Sequence, residues 1–143
     1  MSTLQQFSEK FQTRNLMVFE TSHWIVSLRP QQVTLGSLIL SLKRDCTSLG
    51  DLSPDESSEL QQVFKGIESV LKKCFEYDKI NYLCLMMVDS QVHFHVLPRY
   101  ESVKAFGSFT IVDEGWPGVP TLSKFIEDEK LLDLLKTYIK HRL

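Results

Sequence analysis

Apolar residues recur along the chain with two periods, and the changes of period mark the elements. Leu4, Phe7 and Phe11 share one face at helical spacing, which predicts a short helix over residues 3–14. Residues 16–19 then read as extended. The run His23-Trp24-Ile25-Val26-Ser27-Leu28-Arg29 is rich in β-formers and stops at Pro30. After Gly36, residues 37–42 form a second strand-like run. Helical spacing returns at Ser53-Pro54-Asp55-Glu56, a capping box with proline at the first helical position. Leu60, Val63, Phe64, Ile67, Val70, Leu71, Cys74 and Phe75 continue it as a long amphipathic helix. Residues 80–88 are almost uninterruptedly apolar, the pattern of a strand buried on both faces. Asp89-Ser90 signals a tight turn, and residues 91–97 read as the next strand. Residues 103–112 read as one more, loosened by Gly107, and Pro117, Gly118 and Pro120 make a loop. A last helix over about residues 121–140 carries Leu122, Phe125, Ile126, Leu131, Leu132, Leu134, Leu135, Tyr138 and Ile139.

The predicted order is β, β, long α, β, β, β, α after the short N-terminal helix. The tight turn makes the strands on either side of it antiparallel. Strand runs segregated from helices predict the α+β class. The chain has 143 residues, with no internal repeat and no low-complexity linker, so residues 1–143 are expected to form one domain. Such a length buries roughly 70% of the unfolded surface without needing staples.

Composition narrows the function classes. Hydrophobic residues are 43% and charged residues 24%, which excludes a disordered chain, a collagen-like fibre and a disulfide scaffold. The net charge of −2 argues against holding duplex nucleic acid by phosphate neutralisation, but it is compatible with a small nucleotide. Cys46, Cys74 and Cys84 are odd in number and form no CxxC motif, which predicts free thiols in a reducing compartment. The N-terminal segment is polar and the apolar runs are too short to span a bilayer. These features predict a soluble cytoplasmic protein with no membrane partner.

The most informative segment is Gln91-Val92-His93-Phe94-His95-Val96-Leu97-Pro98-Arg99-Tyr100. Strand alternation places Gln91, His93, His95 and Leu97 on one face, and Val92, Phe94 and Val96 on the core face. The two imidazoles then stand roughly 7 Å apart along the strand. Three readings stay open on the residues alone. One is a pair of half-buried structural histidines. Another is a metal site completed by His23, Asp89 or Glu101, although no sequence feature ties any of these to the pair. The third is a nucleophilic histidine with an imidazole neighbour, since neutral imidazole is a competent nucleophile near neutral pH.

The segment resembles the signature of the histidine triad (HIT) superfamily, three histidines alternating with apolar residues and often followed by Pro-Arg. In that register His93 matches the middle, nucleophilic histidine and His95 the third, while Gln91 stands at the first position. The resemblance spans about residues 15–120, including Trp24–Leu28, Gly36, residues 37–42, the pair Lys43-Arg44 and the Trp116-Pro117 loop. Two features depart from it: Ser37 follows Gly36 where many members have histidine, and Val88-Asp89-Ser90-Gln91 replaces a glycine-rich loop. The pattern is more similar to a bacterial-type subgroup than to the well-known eukaryotic members.

The resemblance implies an α+β fold with an antiparallel sheet of about five strands, a long central helix and a C-terminal helix. It implies a nucleotide hydrolase that forms a nucleotidyl-histidine, acting on dinucleoside polyphosphates or nucleoside phosphoramidates. His93 would attack the α-phosphorus and His95 would donate to the phosphate or the leaving oxygen. Gln91 would hold the phosphate or the His93 ring, and Arg99 would contact distal phosphates. Leu28 and Trp116 are further substrate-side positions, with Ser37 at the family's glycine–histidine corner; for Leu28, Trp24 and Ile39 ordinary core is the preferred reading. No metal or cofactor is expected, although a divalent cation can accompany a polyphosphate. The resemblance also implies a homodimer. The alternative is a binding or regulatory protein that kept the fold without turnover, which Gln91, Ser37 and the missing loop favour.

Overall fold

The computed structural model describes all of residues 1–143. Two helices begin with the same reciprocal device. The Ser2 hydroxyl accepts from the Gln5 amide while the Gln5 side chain accepts from the Ser2 amide, which starts α1 (Thr3–Phe11). Ser53 and Glu56 do the same for α2 (Pro54–Phe75). Each box satisfies two amide groups that have no carbonyl partner in the first turn. Glu56 also accepts both the Nε and Nη2 protons of Arg44 at 2.9 Å.

Between and after these helices run β1 (Met17–Glu20), β2 (Trp24–Leu28), β3 (Leu38–Leu42), β4 (Lys79–Leu83) and β5 (His93–Arg99). They form one antiparallel sheet in the order β1-β2-β3-β5-β4. The fold is therefore the α+β arrangement expected, with a five-stranded main sheet and three α-helices counting α3 (Glu129–Lys140).

The sheet has two different faces. Trp24, Val26 and Leu28, with Leu38, Leu40, Leu42 and Val96, pack on Val63, Ile67 and Leu71 of α2 and Leu131, Leu135 and Ile139 of α3. Burying each such aliphatic side chain contributes about 1.5–3 kcal/mol relative to exposure. Alternation sends Ile25, Ser27, Ile39, Ser41, His93 and His95 to the opposite face. There Ile39 clusters with Phe7 and Phe11 of α1. Gly36 makes the corner before β3 with φ +84°, and a Cβ there would lie 2.7 Å from the Phe75 ring, so only glycine fits.

Three elements differ from expectation. The apolar run 80–88 is not a strand buried on both faces: β4 stops at Leu83 and lies at the sheet edge, and Met87 and Val88 are 85% and 89% exposed. Residues 103–112 are a separate hairpin of β6 (Lys104–Phe106) and β7 (Phe109–Ile111), turned at Gly107 with φ +59°. The C-terminal helix starts at Glu129, not near residue 121, because Ile126 bridges Gln32 through two backbone hydrogen bonds and the Asp128 side chain caps Leu131. Cys46, Cys74 and Cys84 are free. No helix is long and apolar enough to cross a membrane.

Candidate active site

β5 lies between β3 and β4, so the strand that carries the histidines is held on both edges. His93 pairs in register with Ser41 of β3, and His95 lies between Ile39 of β3 and Leu83 of β4. The two rings meet edge to face, with Nε2 of His93 3.3 Å from Nε2 of His95. His93 is 2% exposed and His95 8%. They form the floor of a cavity of about 430 Å³, of the size that takes a small molecule.

The cavity walls come from four parts of the chain. Lys10 and Phe11 belong to α1, Arg29 to Gln31 to the turn after β2, and Leu85 to Asp89 to the segment after β4, with Glu127 beside them. Lys10 and Asp89 are joined by a salt bridge of 2.9 Å that ties α1 to that last segment. The Phe7 ring lies 4.7 Å from the His93 ring, centroid to centroid, and Phe11 contacts both imidazoles.

Arg29 is the charged group at the floor. It is buried, its Nε donates to His95 Nδ1 at 3.2 Å and its Nη1 donates to the Gln31 carbonyl. It forms no salt bridge with any carboxylate. Burial lowers the Arg29 pKa, and Glu127 opposes that through space. A buried cation that touches no carboxylate, at the wall of an open cavity, is suited to an anionic ligand. Burial, then Arg29, then His93 push the His95 pKa down to about 4. Burial likewise lowers His93, which its hydrogen bond to the Gln91 carbonyl partly offsets. Both imidazoles are therefore neutral at pH 7, and the lone pair of His95 Nδ1 accepts from Arg29.

The expected site residues divide. His93 and His95 are brought together at the cavity. Gln91 is fully buried, and its side chain turns away from the rings: its Nε2 donates to the Leu42 and Arg44 carbonyls, and its Oε1 accepts from the Cys46 amide. The reason is that β5 begins only at His93, while residues 91–92 bend to pair with residues 42 and 46. What Gln91 offers His93 is its backbone carbonyl, 2.6 Å from Nδ1.

The remaining positions lie away from the cavity. Arg99 is buried in a two-pronged pair with Asp113 and a further bond to Asn81, and it lines no part of the cavity. Leu28 is core under α2, and Ser37 is buried in the corner with Thr34. Trp116 is half-buried in its loop and lines no part of the cavity. No three His, Cys, Asp or Glu side chains are grouped to hold a metal ion. His23 pairs with Glu59, and Glu101 is exposed, its amide bonded to Asp78.

Arg29 and the α1 residues were missed from the sequence. Arg29 was detectable: alternation along residues 24–29 puts Ile25, Ser27 and Arg29 on the histidine face. Nothing local in the sequence tells that Phe7 and Phe11 fold back onto residue 93, a contact across more than eighty positions.

The same fold occurs in solved structures. A hypothetical histidine triad nucleotide-binding protein from Sulfolobus tokodaii superposes with a TM-score of 0.74 at 18% identity, covering 98% of this chain and 89% of its own. A histidine triad protein from Sinorhizobium meliloti gives 0.74 at 24% identity, covering 94% of each chain. A Hit-like protein from Bartonella henselae, described as involved in cell-cycle regulation and as holding an unknown ligand, gives 0.66 at 18% identity over 92% of both chains. No curated protein matches the sequence significantly. The family model for the HIT domain matches residues 10–102, which takes in the five-stranded sheet, α2 and both histidines. The chain thus belongs to the HIT domain family.

Proposed function

We propose that the protein is a nucleotide hydrolase that cleaves a phosphoanhydride or phosphoramidate bond through a nucleotidyl-His93 intermediate. The observation that carries this reading is the His93–His95 pair at the floor of a cavity that also holds a buried arginine in no salt bridge. His93 presents Nε2 to the cavity side while Nδ1 is held by the Gln91 carbonyl. A neutral, oriented imidazole can attack the α-phosphorus and divide one difficult displacement into two easier ones. The His95 N–H stabilises the charge that develops on phosphoryl oxygens, and the Arg29 cation lies behind it. Water then releases the nucleotide from His93.

Dinucleoside polyphosphates come first as substrates and nucleoside phosphoramidates second. The partner is a small nucleotide in the cytoplasm, with no nucleic acid or membrane. The assembly we propose is a homodimer. A divalent cation can accompany a polyphosphate, but no metal acts in the covalent step.

The test is intact-protein mass spectrometry after brief mixing with dinucleoside polyphosphates and adenosine phosphoramidate, alongside His93→Asn. The expected result is a nucleotidyl adduct or nucleotide release by the wild type that His93→Asn abolishes. Binding without adduct or product supports the second reading, a non-catalytic nucleotide-binding protein. What favours that reading is the cover of Phe7 and Phe11 over His93.

A further inference from the structure

We propose that Arg29 is a positioning residue that holds His95 as its neutral Nε2–H tautomer, so that the site releases leaving groups departing as anions and discriminates against amines. The proposal deepens the reading of His93 as nucleophile and rests on it.

The four groups Arg29, His95, His93 and the Gln91 carbonyl form one chain of hydrogen bonds. Both ends of the chain have fixed roles. A guanidinium N–H only donates, so His95 Nδ1 must carry a lone pair. A carbonyl oxygen only accepts, so His93 Nδ1 must carry a proton. The middle link then has one solution: His95 Nε2–H donates to the lone pair of His93 Nε2 across 3.3 Å. The groups facing His95 are Arg29 from the end of β2, Lys10 and Phe11 from α1, His93 on its own strand, and Asp89 from the segment after β4. Burial, Arg29, His93 and Lys10 all act against protonation of His95, and only Asp89 favours it.

The consequence is chemical. In the first step a bond forms between His93 Nε2 and the α-phosphorus, and the bond from phosphorus to the leaving atom breaks with its electron pair. The His93 Nδ1 proton stays on Nδ1, donated in a hydrogen bond to the Gln91 carbonyl. His95 turns its Nε2–H to a phosphoryl oxygen as a hydrogen-bond donor. It cannot give that proton away, because a neutral imidazole would become an imidazolate. An anhydride needs no such proton, since its leaving group departs as a phosphate anion. An amine does need one, and proton transfer by a positioned acid contributes roughly 10²–10⁴ in rate. In the second step water forms the new P–O bond, the electron pair returns to Nε2, and the water proton leaves to solvent.

The experiment uses the full chain labelled with ¹⁵N-histidine. Long-range ¹H–¹⁵N spectra from pH 5 to 8 read the tautomers, and kcat/KM is measured for a diadenosine polyphosphate and for adenosine phosphoramidate. The expected wild type shows His95 as Nε2–H and His93 as Nδ1–H, and prefers the anhydride by about 100-fold or more. In Arg29→Met, His95 protonates at a higher pH and the preference narrows at least about tenfold, through a gain in amidate cleavage below pH 7. If Arg29→Met does not fold, the wild-type tautomers and preference decide. An Nδ1–H or doubly protonated His95 at pH 7, with normal turnover, overturns the role of Arg29 alone. A wild type inert toward both substrates overturns the discrimination together with the nucleophilic reading. Equal cleavage of both substrates overturns the discrimination only.

Discussion

His95 contributes to stability only while it stays neutral. Its folded pKa lies at about 4 against an ordinary value of 6.5. As pH falls below 6.5 the unfolded chain takes up the proton first, so stability is present above that value and is lost on the way down to about 4. The shift corresponds to about 3 kcal/mol, with His93 acting in the same direction. Urea midpoints of wild type and His95→Gln between pH 7 and 4 provide the check. The wild type should lose more stability across that window, and parallel curves would show that His95 is not held neutral by the fold. At this scale the sequence was readable where alternation governs and unreadable where the backbone bends. His93 and His95 lie on a regular strand, so their shared face followed from spacing. Gln91 lies two residues before the strand begins, and there alternation no longer predicts direction. Arg99 is on the strand, but its carboxylate partner Asp113 comes from a distant loop that no local pattern announces.

Among elements, α1 has the most direct bearing on function. It brings Phe7 and Phe11 onto the imidazoles and Lys10 onto the cavity rim. Phe7 is almost fully buried although it belongs to a helix of nine residues. Truncating a buried phenylalanine in a core costs about 3–5 kcal/mol, more than so short a helix provides for itself. Phe7→Ala is therefore expected to loosen α1 while α2, α3 and the sheet stay folded. The measurement is modification of His93 by diethyl pyrocarbonate, expected to accelerate at least about tenfold in the variant, with faster amide exchange confined to α1. An unchanged modification rate would mean that the helix does not control access to the ring. The capping boxes at Ser2 and Ser53 and the helical spacing of α2 made the helices legible. The apolar run 80–88 misled because continuous hydrophobicity does not distinguish a central strand from an edge strand followed by an exposed lip. The strand order decides which it is, and that order is a property of the whole chain.

For the whole molecule, the sheet order leaves one edge of β4 without a partner strand. Next to that edge, Leu85, Met87 and Val88 stand largely exposed at the cavity mouth. An open strand edge beside exposed apolar side chains is a surface that proteins usually cover. This supports the homodimer we propose, and light scattering on the full chain is expected to give twice the chain mass of 16.6 kDa at micromolar concentration. A single-chain mass would remove that assembly.

The two faces of the sheet divide the inheritance of the molecule. One face stores the fold in aliphatic contacts with α2 and α3, and the other presents imidazole, guanidinium and hydroxyl groups beneath a short helix. Because alternate residues of the same strands serve the two faces, a substitution at one position leaves its neighbour's task largely intact. Such a sheet lets chemistry drift while architecture is conserved: side chains around the cavity can be exchanged, one at a time, in a protein that continues to fold.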